Sequence, residues 1–191
     1  MGETQGSAAL GRNALIASII EAVAGVAWIE SGMVNLAGKA WIAARVIAGV
    51  IGVVLLARGI RLRRTHTGGA AEPSMFASRG YRLVVAAEAV AMAAGGIALG
   101  LTHQGGYLIA WFGLVVGVHF LGFGKLFARR FYLLGAALIV GAAAGLVVGV
   151  AVGDIVTAQA LTGFICGLSL FAMSAFTLVQ YQGQRTQVQP A

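Results

Sequence analysis

Apolar residues run along this chain in six stretches, at about 13–32, 38–58, 82–102, 107–127, 131–152 and 160–181. A hydrocarbon core of roughly 30 Å takes about 20 such residues per helical crossing, so each stretch predicts one transmembrane α-helix. The polar breaks on one side are short, at 33–38, 102–106 and 153–159. On the other side one break is long, and its Gly68, Gly69 and Pro73 discourage regular structure. The pattern predicts an all-α membrane protein, a single integral membrane domain over 1–191. Its six transmembrane helices form three helical hairpins at 13–64, 82–130 and 131–182, with 65–81 as a flexible loop.

Composition agrees and excludes a sizeable soluble domain. The chain is 59% hydrophobic and 10% charged, far from the charged fraction of about 25% usual in soluble proteins. The first span is too long for the apolar part of a cleavable signal peptide, so it is expected to remain as a helix. Cys166 is the single cysteine. No disulfide is therefore available, and the residue is expected to be a small buried apolar group.

Charge changes the picture by giving it a direction. The net charge of +7 would suggest nucleic acid, but its placement explains it otherwise. Eleven of the 13 basic residues, from Arg12 through Arg58, Arg61, Arg63 and Arg64 to Lys125, Arg129, Arg130 and Arg185, fall on one side of alternating spans. Lys39 and Arg45 are the exceptions. By the positive-inside rule both N and C termini are cytoplasmic, and the expected partner is the lipid bilayer, with no nucleic acid.

The first two hairpins correspond in letters. Glu21-Ala22-Val23-Ala24 in the first span matches Glu88-Ala89-Val90-Ala91 in the third, 67 residues on, and Arg64 to Arg130 is 66. Both hairpins enter from the same side, so 82–130 reads as a parallel repeat of 13–64. Glycines supply the packing surfaces. Gly141, Gly145, Gly149 and Gly153 succeed each other at i+4 in the fifth span, with Gly113/Gly117 and Gly163/Gly167 as shorter versions. Such stripes let a second backbone approach closely. The expected use is packing on a neighbouring span, the alternative a seam for a homo-oligomer or another membrane subunit.

Candidate chemistry is confined to ionisable residues inside the spans, which are costly there and mark function by default. With a rise of ~1.5 Å per residue, Glu21, Arg45, Glu88 and His119 fall within roughly 6 Å of the midplane. Glu21 is expected to neutralise Arg45 in its own hairpin, with Trp41 covering the guanidinium. His119 is the candidate partner of Glu88. Glu30 and Lys39 are expected to pair at the outer surface, while Trp28, Trp41, Tyr107, Trp111, Phe131 and Tyr132 suit interfacial or semi-buried anchoring. No Cys/His cluster has metal-ligand spacing, no phosphate-binding or dinucleotide motif opens a helix, and no serine sits in a nucleophile elbow. No cofactor, no metal and no catalytic residue is assigned.

Gly117-Val118-His119-Phe120-Leu121, succeeded by Lys125-Leu126-Phe127, resembles a motif of small six-span bacterial membrane proteins of unknown function. Here Gly122-Phe123-Gly124 stands where that motif has a Pro-Leu-Ala-like triplet. The resemblance covers about a dozen residues and the hairpin plan, implies only His119 as a family position, and brings no activity; the expected location is a bacterial inner membrane, crossed several times.

Three functions are expected from these features. The first is a proton-linked transporter or channel for a small solute or ion, using Glu88, His119, Glu21 and Arg45. The second is a non-catalytic assembly or accessory subunit, using the glycine stripe. The third is a membrane-embedded enzyme on a lipid or isoprenoid, with a buried carboxylic acid as general acid.

Overall fold

The computed structural model describes residues 11–65 and 75–188, with side chains to residue 184. Its long helices are α1 (Gly11–Met33), α2 (Lys39–Arg64), α3 (Arg79–Leu101), α4 (Leu108–Leu126), α5 (Arg130–Val152) and α6 (Ile155–Val188). All six are long and apolar enough to cross a membrane, and the chain reads as a multi-pass membrane protein. Residues 66–74, where the linker expectation mostly falls, lie outside the described residues. After them Met75–Ala77 forms a 3₁₀ turn, and Ser78 caps α3 by accepting from the Tyr81 amide at 3.1 Å.

Two elements run further than their apolar stretches. α2 continues past residue 58 to Arg64, because Leu62 still packs inward while Arg61, Arg63 and Arg64 project outward. α6 begins at Ile155 rather than near 160. Asp154 provides the start by accepting hydrogen bonds from the Thr157 amide (3.0 Å) and hydroxyl (2.5 Å), an N-cap that makes the polar first turn helical. These bonds, the hydroxyl's foremost, hold the Asp154 carboxyl below its ordinary 3.8. Gly153, with φ of 73°, ends α5 in the left-handed conformation that glycine adopts without strain.

Packing places the helices in the order α2, α1, α6, α5, α4, α3, with α6 also touching α2 and α4. Small residues decide which surfaces meet. A Cβ on Gly32 would stand 2.7 Å from the Gly163 Cα, and one on Gly163 would stand 2.6 Å from the Gly32 Cα. There α1 and α6 touch backbone to backbone. α4 and α5 meet likewise, with a Gly135 Cβ 2.6 Å from the Gly117 carbonyl oxygen. Gly141, Gly145 and Gly149 are buried, and the stripe turns toward Ile165, Thr162 and Ala158 of α6. That face is therefore covered within the chain.

Polar side chains finish the central interfaces. The Ser174 hydroxyl donates to the Ser18 carbonyl at 2.8 Å between α6 and α1. Cys166 is fully buried and its thiol points to the Leu138 carbonyl. At the short-loop end, the Asn35 amide donates to Gln159 (2.9 Å), and Gln159 donates to the Gly106 carbonyl (3.0 Å). This clamp ties the α1–α2 and α3–α4 turns to α6.

α3 is attached differently. It packs chiefly on α4 and has no buried residue. Trp111 of α4 lies over Gly95, where any side chain would collide with the indole, and its Nε1–H donates to the Ala91 carbonyl at 3.2 Å.

Candidate functional site

A cavity of about 310 Å³ lies between α1 and α3, with α4, α5 and α6 behind it. Helical spacing delivers its lining. Glu21, Ala24 and Trp28 come from one face of α1, and Tyr81, Val85 and Glu88 from one face of α3. Val116, His119, Phe120 and Phe123 come from one face of α4, each set obeying the i, i+3/i+4, i+7 rule. Phe131 of α5, Leu170 of α6 and Phe76 of the turn before α3 close it.

Three of the four expected ionisable residues meet here. The His119 Nδ1 lies 2.8 Å from the Glu88 Oε2, at ion-pair distance but without the alignment of an N–H···O hydrogen bond. Glu88 keeps 19% of its side chain exposed and His119 9%. Glu21 faces them from α1 and is only 3% exposed, and its Oε2 is buried with no hydrogen-bond partner. A buried carboxylate oxygen without a partner is costly, so this is the least compensated atom of the site.

Arg45 does not join them. It pairs with Glu30 instead, with Nε and Nη2 both 2.6 Å from Oε2. The expected Glu21–Arg45 and Glu30–Lys39 pairs are both corrected, for a reason of depth. α1 and α2 run in opposite senses, so Glu21 lies about 3 Å to one side of the midplane and Arg45 about 4.5 Å to the other. Glu30, near the end of α1, is closer in depth, and Lys39 is exposed at the start of α2. Glu88 and His119 lie on the same side as Glu21, and so they share its cavity.

The cation that acts on Glu21 is Arg130, at the start of α5. The two form no close ion pair. Arg130 is half-buried, donates from Nη1 to the Thr177 hydroxyl at 3.4 Å, and leaves its Nε unpartnered. Its guanidinium also sits 5.3 Å from the centroid of the Phe131 ring. In the sequence Arg130 reads as one of the basic residues flanking a span, and nothing there marks it as part of a site.

The aromatic lining was likewise hidden. Trp28 and Phe131, expected as interfacial or semi-buried anchors, line the cavity with Phe76, Tyr81, Phe120 and Phe123. The rings form one cluster: Tyr81 stacks on Phe123 at 5.3 Å, Phe120 stacks on Phe131 at 5.8 Å, and His119 meets Phe123 edge-on at 4.0 Å. The recoverable signal was spacing, since Trp28 comes seven residues after Glu21 and Glu88 seven after Tyr81.

Among the described residues, no three His, Cys, Asp or Glu side chains come together as metal ligands. The arrangement can accommodate a ligand of modest size among aromatic faces, and it places two carboxyl groups and an imidazole on its wall. The chain matches no protein-family model, no curated protein and no solved structure.

Proposed function

We propose that this is a small proton-linked membrane transporter whose solute occupies the cavity between α1 and α3. The observation that carries this reading is the convergence of Glu21, Glu88 and His119 on one cavity inside a bundle of membrane-crossing helices. Ionisable groups held at that depth mark solute and proton pathways. Glu88 and His119 are the pair that takes up and releases a proton. Glu21, buried opposite them without a partner on Oε2, senses whether the cavity is filled. Arg45, held by Glu30, orders the α1–α2 hairpin and takes no part. The protein resides in a bacterial inner membrane with both termini cytoplasmic, as its one-sided basic residues favour.

The test is protein-dependent solute movement driven by a pH gradient in proteoliposomes, across a panel of cationic, neutral and anionic solutes. Movement should fall at least tenfold in Glu88→Gln. Movement indifferent to both Glu88→Gln and Glu21→Gln would sink the reading.

One observation favours a second reading. A largely apolar cavity with a buried carboxyl group on its wall is also what an enzyme acting on a lipid or isoprenoid requires, with Glu21 as general acid. Recovery of the transported solute chemically unchanged separates transport from this alternative.

A further inference from the structure

We infer that the cavity is built for a monovalent organic cation with apolar substituents, taken up in exchange for a proton. This inference rests on the transport reading and names the class of its solute.

Shape and lining come first. A volume of about 310 Å³ is at the lower end for small-molecule sites, roughly 300–1,000 Å³. The wall is mostly apolar, and Trp28, Tyr81, Phe120 and Phe123 offer ring surface to it. Aromatic faces carry negative charge density and attract a desolvated cation, most strongly one whose charge is spread under alkyl groups. A hydrated inorganic ion gains little from such a wall, since the cavity offers few oxygens to replace its water.

Charge decides between a cation and a neutral solute of the same shape. The titratable and charged groups around the space are Glu21 from α1, Tyr81 and Glu88 from α3, His119 from α4 and Arg130 from α5, while α6 contributes none. Two carboxyl groups, Glu21 and Glu88, thus face the Arg130 guanidinium and the His119 imidazole. Loss of one proton from this set lowers its charge by one, and a single monovalent cation restores the balance. The buried Glu21 Oε2, on a residue only 3% exposed and lacking any hydrogen-bond partner, marks where that charge is wanted. Proton and cation therefore occupy the site alternately. One cation enters and one proton leaves to water, with no bond made or broken other than that to the proton. Coulombic balance at low dielectric makes double occupancy expensive.

The probe is benzyltrimethylammonium, with neopentylbenzene, in which carbon replaces nitrogen, as its uncharged isostere. Both are titrated into the full-length protein in detergent by calorimetry, in buffers of different ionisation enthalpy. The expected result is cation binding with release of about one proton, and at least tenfold weaker binding of the isostere. Glu21→Gln should weaken the cation at least tenfold. Glu88→Gln should weaken it similarly and abolish proton release, and Glu30→Gln, outside the cavity, should do neither. Unchanged melting temperatures certify that each variant is folded. Binding of the isostere as tight as that of the cation, or cation binding without proton release, overturns the inference. Proton-driven movement of a neutral or anionic solute, with no cation binding, overturns the solute class and leaves transport standing. Cation binding with proton release but no pH-driven movement supports the site and removes the transport reading.

Discussion

The same four letters, Glu-Ala-Val-Ala, open two opposite environments. In α1, Glu21 and Ala22 are buried at 3% and 0% exposure, in a helix gripped by α2 and α6. In α3, Glu88 is half-buried, Ala89 is exposed, and no residue of the helix is fully buried. The difference originates in glycines C-terminal to the motif. Gly25 and Gly32 give α1 a face that α6 meets at backbone distance, whereas Gly95 of α3 only makes room for the Trp111 ring. A glutamate's surroundings are thus set by the small residues one and three turns further on, not by the motif that contains it. One glutamate is fixed in a rigid wall and the other rides on a peripheral helix.

The widest gap between the two helices should appear in their glycines. Gly32→Leu forces side-chain atoms into the α6 backbone, where nothing can yield, and should exceed the about 1–3 kcal/mol of ordinary overpacking. It is expected to abolish a monodisperse folded peak on size exclusion. Gly100→Leu, on α3 with open space around it, should leave that peak and the melting temperature unchanged. Equal damage from both would erase the contrast between a core helix and an edge helix.

A smaller effect tests how α3 is held. Removing a buried tryptophan costs ~3–5 kcal/mol, and the half-buried Trp111 should cost on the order of 2 kcal/mol by the same reasoning. In Trp111→Ala, hydrogen exchange should rise along α3 while α1 and α6 keep their protection. A uniform rise across all helices would show that α3 is as integral to the bundle as α1.

The smallest effect concerns the end where both regions are tied to α6. Asp154→Asn weakens the cap near Gln159, which bonds to the turns after α1 and α3. Because folding lowers the Asp154 pKa below 3.8, its contribution is present above that value and is lost as pH falls through the folded pKa. The variant should melt slightly below the parent at neutral pH, and the difference should shrink as the pH is lowered through the folded Asp154 pKa. A gap that persists unchanged in acid would show that the carboxylate charge is not what caps the helix.

Much of this was legible in the chain. The apolar stretches located all six helices, because bilayer thickness dictates their length. Glu88 and His119 were legible as partners because both fall near the midplane of neighbouring spans and no other candidate stands beside Glu88. Arg45 was misassigned because distance from the midplane carries no sign until helix direction is added. Arg130 and the aromatic lining stayed hidden because their part depends on which face of α1 turns toward α3. That rotation is fixed by Gly25, Gly32, Gly163 and Gly167 meeting across the chain, a contact that a linear sequence does not display.

The edge position of α3 also has a consequence for the surrounding lipid. Its apolar run at 83–101 rises about 28 Å, close to a hydrocarbon core of roughly 30 Å, with Arg79 and Arg82 left beyond it at the headgroups. With no buried residue, α3 has little protein against it to fix its angle. The wall of the cavity that carries Glu88 is therefore a helix whose other faces, at Leu83, Val90, Ile97 and Leu101, lie open to the bilayer.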